Sequence, residues 1–219
     1  MTPTLAQVLS TLAHEIRTPL AVSRGYLKLL LDGGLPSAAD QRSALERTQE
    51  ALGVISTLCQ EMGKVGAAAG IQAPRPLEGR LTVGGLQNAL TATLGEDAPE
   101  WRGRISPGPL VATNGTDDIV RAVAALGTMA FKDASGARHV VQARMDDASL
   151  VIVIGGEAAT SSLPPDPDAD GAADVPVVRG GFGLALMWAA FVLEQHRVRT
   201  WHHASGRGAV GFLFPLVSA

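Results

Sequence analysis

The sequence has a single cysteine, few aromatic residues and no long apolar run. Cys59 is the one cysteine among 219 residues, which excludes an internal disulfide and is typical of a reducing compartment. Aromatic residues make up only 4% of the chain, so aliphatic side chains and alanine must fill the core. No apolar run approaches the roughly 20 residues that a membrane-spanning helix needs, and the first residues lack a signal-peptide pattern. We therefore expect a cytoplasmic protein without a membrane partner.

The chain also carries little net charge. Eighteen basic and 21 acidic residues leave a net charge of −3, which gives no electrostatic attraction to nucleic acid. The sequence also predicts no metal centre. Hydrophobic residues make up 46% of the chain, enough to form the core of one large domain or of two small ones.

Helical periodicity dominates the N-terminal region. Apolar residues recur every three or four positions over residues 4–31, and Asp32-Gly33-Gly34 then predicts the end of this helix. A second helix is predicted from a cap at Ser37 to about residue 66. A short connection makes the two helices an antiparallel hairpin. One hairpin cannot cover both apolar faces, so we expect a homodimeric four-helix bundle with Leu12 and Ile55 in its seam.

The C-terminal region mixes helical and strand patterns. Residues 68–77 predict a linker, since glycine, alanine and proline replace the periodic apolar positions. Beyond it, the patterns favour helices at 83–94, 117–131 and 184–196, extended segments at 104–112, 140–144, 150–154, 198–202 and 209–214, and a loop at 158–180. The fold class is therefore α+β in two domains, a helical hairpin (1–67) and an α/β sandwich (78–219).

A histidine, a carboxylate and a hydroxyl lie close together in the first helix. At about 100° per residue, His14 lies about 200° from Leu12 and points away from the apolar face. A neutral imidazole can attack a phosphoryl group, and the adjacent Glu15 is suited to accept its proton. Thr18 lies one turn further on the same side, where its hydroxyl can orient a water. Arg17 is equally consistent with phosphate binding and with simple solvation.

The seven residues from His14 to Leu20, HEIRTPL, resemble the phospho-accepting box of sensor histidine kinases. The helix, break and second helix follow in the order found in that family. The resemblance implies that residues 1–67 are a dimerisation and histidine phosphotransfer domain. It also implies that His14 exchanges a phosphoryl group with an aspartate in the receiver domain of a response regulator.

The C-terminal half resembles the ATP-binding domain of the same family, with departures. Gly180 to Leu186 resemble its second glycine box, so Gly181 and Gly183, with Lys132, are interpreted as remnants of a phosphate site. The two asparagines expected near Lys132 correspond to Ala125 and Met129, which offer magnesium no oxygen ligand. The aspartate expected to bind adenine corresponds to Ile154. We therefore expect no cofactor, with Mg-ATP bound only if this alignment has slipped.

Three functions remain open at the level of sequence. The first is a phosphorelay protein that uses His14 without autophosphorylation from ATP, and the absence of a sensor region before the helix favours it. The second is an active histidine kinase with an atypical ATP site, served by a separate sensor kinase, in which Asp117, Asp118 or the acidic residues of 166–174 would be ligands. The third is a response-regulator phosphatase or non-catalytic regulator that uses Glu15 and Thr18.

Overall fold

Two long helices form a hairpin at the N-terminal end of the chain. The computed structural model describes residues 3–70, 80–94, 99–103, 109–111, 116–145, 149–176, 183–206 and 208–216. Helix α1 spans Leu5–Leu31 and helix α2 spans Ala38–Ala69, and the two pack against each other. Both helices of the predicted hairpin are therefore confirmed.

Side chains cap the start of each helix. Thr4 Oγ1 accepts a hydrogen bond from the backbone N–H of Gln7 at 3.2 Å, and the Gln7 side chain in turn accepts one from the Thr4 N–H at 2.8 Å. At the second helix, Ser37 Oγ accepts from the Asp40 N–H at 3.0 Å, as its sequence predicts. Such caps satisfy N–H groups that have no partner within the helix.

A mixed sheet with helices forms the C-terminal domain. The elements are β1 (Arg80–Thr82), α3 (Val83–Leu94), β2 (Glu100–Arg102), β3 (Pro109–Val111), α4 (Thr116–Asp133), β4 (His139–Met145), β5 (Ser149–Gly156), α5 (Glu157–Ser162), β6 (Ala172–Ala173), α6 (Gly183–Gln195), β7 (Arg199–His203) and β8 (Ala209–Pro215). Strands β2, β4, β5, β8, β7 and β6 form the main sheet in that spatial order, with β2 and β4 parallel and the other neighbours antiparallel. Strands β1 and β3 pair separately.

The main core lies between the sheet and helices α3, α4 and α6. The sequence predicts one apolar face on α4, and its four residues are buried: Ile119, Val123, Leu126 and Ala130. Alternate residues of the central strands, such as Ile152 and Phe212, meet this face from the sheet. The predicted sandwich is confirmed. Helix α6 of its helical layer also packs against the N-terminal hairpin.

The segment expected to be a loop at 158–180 is irregular at 163–171 and 174–176 but also contains two short regular elements. It includes most of α5 and the short strand β6, which pairs with β7. Arg199 binds both carboxylate oxygens of Asp168, at 2.6 and 2.7 Å, and these hydrogen bonds lower the pKa of Asp168. Trp201 Nε1 donates to the carbonyl oxygen of Pro164 at 2.9 Å. The loop prediction is therefore confirmed for residues 163–171 and 174–176 and wrong for α5 and β6. Strand β6 was missed because its partner is β7, which a local pattern does not contain. Residues 177–180 lie outside the described residues.

Other departures concern short elements and boundaries. The three-residue strands β1 and β2 were not predicted, since such runs carry too few residues for a periodic signal. Helix α2 continues through Ala69, into the predicted linker at 68–77, and residues 71–77 lie outside the described residues. Of the extended segment predicted at 104–112, residues 109–111 are described, as strand β3.

The hairpin exposes many large apolar side chains. One group on α1, Leu9, Leu20, Leu27 and Leu31, recurs at spacings that place its members on one side of the helix. Leu45 and Leu52 of α2 are also exposed, at 55% and 52%. A single chain therefore leaves much of the predicted apolar face uncovered. Among the described residues, no helix combines the length and the apolarity needed to cross a bilayer.

A tight contact between β7 and β8 gives a test of the fold. Gly211 lies opposite Trp201, and a methyl group added to it would lie 2.4 Å from atoms of the buried indole ring. We expect Gly211→Ala to lower the free energy of unfolding by about 1–3 kcal/mol, as overpacking does in other cores. The matched control is Gly206→Ala in the turn between β7 and β8, where nothing lies within 4 Å of the added carbon. Equal stability of the two variants in urea denaturation would contradict this packing.

Candidate functional site

His14 lies on the open side of α1. Its side chain is exposed, and it makes no hydrogen bond to another described residue. Thr18 is exposed one turn further along, and Arg17 is also exposed. The spacing of His14 and Thr18 places both on the same side of the helix. The imidazole is therefore accessible to a second macromolecule, with a hydroxyl close to it, as the sequence predicts.

Glu15 has different surroundings. Its side chain is half-buried and lies against the first residue of α6, Gly183. A methyl group placed on Gly183 would lie 3.1 Å from Glu15 Oε1 and 3.3 Å from its Cγ. No hydrogen bond joins Glu15 to His14 within the described residues, so the general-base role of Glu15 stays a prediction.

A second apolar cluster joins the hairpin to the C-terminal domain. Helix α6 packs against both hairpin helices. The buried members of the cluster are Val8 of α1, Leu58 and Val65 of α2, and Leu184 and Met187 of α6. Leu12, Ile16 and Met62 pack around them. The Gln195 side-chain amide also donates to the carbonyl oxygen of Ala68. The C-terminal domain is thus docked beside residues 14–20 of α1.

One sequence-based expectation placed Leu12 in the seam of a dimer. In the single chain Leu12 packs against the cluster that contains α6, and the dimer seam stays a prediction. Sequence reasoning missed the contact, although α6 gave a signal. Its sequence GLALMWAAFVLEQ is apolar nearly all the way round, and such a helix is covered on more than one side. One side of α6 lies on the sheet core, and the other lies on the hairpin.

Apolar side chains lie at the positions expected to bind magnesium and adenine. Met129 is 2% exposed, Ile154 is fully buried, and both belong to the main core. Ala125 packs against the same core. A methyl group on Gly127 would lie 3.1 Å from Ile154 Cγ2, so α4 and β5 pack closely here. The donor set does not fit Mg-ATP, because these side chains have no oxygen to bind the metal and no acid to accept from adenine.

The neighbouring charged residues take part in local structure. Asp118 pairs with Arg121 at 2.7 Å in the first turn of α4. Glu157, at the end of the expected adenine box, pairs with Arg102 at 2.6 Å. Lys132 is exposed and has an interaction partner. Of the predicted phosphate-binding glycines, Gly183 begins α6, and Gly181 lies outside the described residues.

Known proteins share both the hairpin and the overall fold. Residues 4–63 match the family described as His Kinase A (phospho-acceptor) domain. None of the curated proteins matches the chain. Among solved structures, the Acinetobacter baumannii histidine kinase AdeS is similar with a TM-score of 0.56 and 15% identity, over 94% of this chain and 98% of AdeS.

A second similar structure is full-length ShkA in complex with AMPPNP. Its TM-score is 0.53 at 18% identity, and the match covers 100% of this chain and 47% of ShkA. At these identities the two structures establish the fold, while the family match identifies the hairpin. The chain therefore carries a His Kinase A phospho-acceptor domain at residues 4–63 and has the architecture of the sensor histidine kinase family.

Proposed function

We propose that this chain is a phosphotransfer protein of two-component signalling. His14 accepts a phosphoryl group from the receiver aspartate of one response regulator and passes it to another. The observation that carries the proposal is the arrangement around His14: the imidazole is exposed within a complete HEIRTPL box, while apolar side chains lie where the resemblance predicts the metal and adenine ligands of the second domain.

An open groove continues the His14 side of α1 and fits a protein partner. Ala21, Val22, Gly25 and Leu29 line a depression of about 630 Å³. Their spacing from His14 and Thr18 places them along the same side of the helix. Tyr26, Lys28 and Asp32 complete the lining of this groove. The small and apolar side chains within it suit the packing of a partner's helix. We assign this groove to the receiver domain, which must bring its aspartyl phosphate to His14.

The transfer step needs no metal bound by this chain. One imidazole nitrogen attacks phosphorus, the P–O bond to the receiver aspartate breaks, and the carboxylate leaves with the electron pair. The remaining ring N–H stays on the imidazolium, where a carboxylate such as that of Glu15 can stabilise it. The reverse step restores the imidazole and phosphorylates the second receiver.

The structure of the C-terminal domain supports a role without ATP. The side chains of Met129 and Ile154 are part of the core, so the positions that should face a nucleotide are filled. Residues 163–176, the lid-like segment that follows α5, include β6 and are held on β7 by Asp168 and Pro164. Phosphoryl transfer from ATP depends on positioned metal and phosphate ligands.

The proposed phosphotransfer protein is a homodimer. Large apolar side chains are exposed on both helices, among them Leu20 and Leu27 of α1 and Leu45 and Leu52 of α2, and contiguous exposed apolar faces mark interaction sites. A second copy of the hairpin would cover them in a four-helix bundle, the arrangement that antiparallel helical hairpins favour. Each protomer would then keep its own His14 groove open.

The test measures which donor delivers label to His14. The response regulators of the source organism are phosphorylated with radiolabelled acetyl phosphate, purified and mixed with the chain, and labelled Mg-ATP is tested in parallel. We expect acid-labile, base-stable label from at least one receiver and none from ATP within an hour. Label from ATP on His14 would instead support an atypical kinase. Loss of receiver label as free phosphate, with none on the chain, would support a phosphatase. Either result would contradict the relay.

A further inference from the structure

The amino end of α6 has no negative charge of its own. No acidic residue lies in the first turn of this helix, although the unpaired N–H groups of a helix start favour a nearby carboxylate. Glu15 supplies one from α1, with its carboxylate against Gly183. Gly183 lets this approach happen, because any side chain there would meet Glu15 at 3.1–3.3 Å.

The surrounding packing holds this pair of elements in place. Val8 and Val65 of the hairpin are 3% and 1% exposed, and Leu184 and Met187 of α6 are 2% and 0% exposed. Leu184 and Met187 belong only to this second cluster and not to the core of the C-terminal domain. One side of the first turns of α6, with Leu184 and Met187, therefore packs on the hairpin, close to Glu15.

We propose that α6 is a positioning element for phosphoryl transfer: the contact of Gly183 with the Glu15 carboxylate holds this side chain in place, one residue along the helix from His14, and so sets the transfer rate. This inference rests on the proposed function, since it assigns a role in that same reaction. The C-terminal domain then acts on the chemistry without touching the phosphoryl group.

A pair of variants at Gly183 separates charge from bulk. Gly183→Asp and Gly183→Asn add side chains of nearly equal size, but only Asp adds a second carboxylate, which repels Glu15 and takes its place at the helix end. We expect Gly183→Asp to accept label from a phosphorylated receiver about tenfold more slowly than Gly183→Asn. In a Glu15→Gln background the repulsion is gone, so this difference should fall to less than about twofold.

A second pair avoids changes at the glycine. Leu184→Ala removes apolar contact with the hairpin, whereas Leu186→Ala makes the same change on the side of α6 that faces the sheet core. We expect only Leu184→Ala to slow transfer and to speed hydrogen exchange in α1. Leu186→Ala should lower the stability of the C-terminal domain while transfer at 10 °C stays near that of the unmodified chain.

The outcomes distinguish this inference from the proposed function. If the unmodified chain takes label from a receiver but the Gly183 and Leu184 variants match their controls, α6 does not position Glu15, and the relay stands. If the unmodified chain takes no label from any receiver, both proposals fail. A slow Gly183→Asp that stays slow when Glu15 is replaced by Gln would also overturn the positioning role, because the effect would not pass through Glu15.

Discussion

We expect His14→Gln to abolish phosphoryl uptake from a phosphorylated receiver and to leave the fold unchanged. The glutamine amide is not a nucleophile toward phosphorus, so the loss should exceed the 10²–10⁴-fold typical of removing general-base help alone. Stability should stay within about 0.5 kcal/mol, because the side chain is exposed and makes no hydrogen bond to a described residue. The measurement is acid-labile, base-stable label after mixing, with circular dichroism as the check on folding.

The neighbouring residues and the other histidines give the controls. Glu15→Ala should slow uptake without abolishing it, and Thr18→Ala should spare uptake but slow loss of phosphate from the receiver. His203→Gln should leave uptake intact. His196→Gln should cost stability instead, since this buried ring has Nδ1 2.7 Å from the Val192 carbonyl oxygen, and burial lowers its pKa. Label of the same chemistry on the His14→Gln protein would contradict the assignment.

Leu27→Glu should convert the proposed dimer into a monomer. Leu27 is 43% exposed in one chain, on the side of α1 where Leu20 and Leu31 also lie, so the bundle would bury it. Placing an unpaired carboxylate in an apolar seam costs several kcal/mol. That cost should raise the dissociation constant at least about 100-fold. Light scattering across a dilution series measures the change.

The control for this prediction is Gln60→Glu, which adds the same side chain at an exposed polar position of α2. It should leave the dissociation constant within about threefold of the original value. Leu12→Glu should weaken the contact between the hairpin and α6, because Leu12 packs against the cluster that these elements share. If Leu27→Glu remains a dimer at micromolar concentration, the exposed leucines of α1 do not form the seam.

Local patterns were sufficient where an element carries its own signal. The hairpin helices, α3 and α4 follow from apolar periodicity and from caps such as Ser37, all of which lie within a few residues along the chain. The outward direction of His14 follows from the same geometry. These predictions succeeded because the physical causes of a helix and of its buried face are local.

Contacts between distant segments were not predictable in this way. Strand β6 exists because β7 lies beside it, and Asp168 finds Arg199 only in the folded chain. Likewise, Leu12 belonged to a helical stripe that had two candidate partners, a second hairpin and α6. Periodicity says that a face is buried, but it does not say which surface buries it. The contact of Glu15 with Gly183 was hidden for the same reason.

The lid-like segment, residues 163–176, limits how such a protein can evolve. If nucleotide chemistry has been lost here, single substitutions will not bring it back. An aspartate at position 154 would place a charge at a site that is fully buried. Residues 163–176 would still be held on strand β7 by the hydrogen bonds of Asp168 and Pro164. Several substitutions would have to occur together, and each alone would lower the stability of the fold. Such a loss of nucleotide binding would therefore be difficult to reverse in evolution.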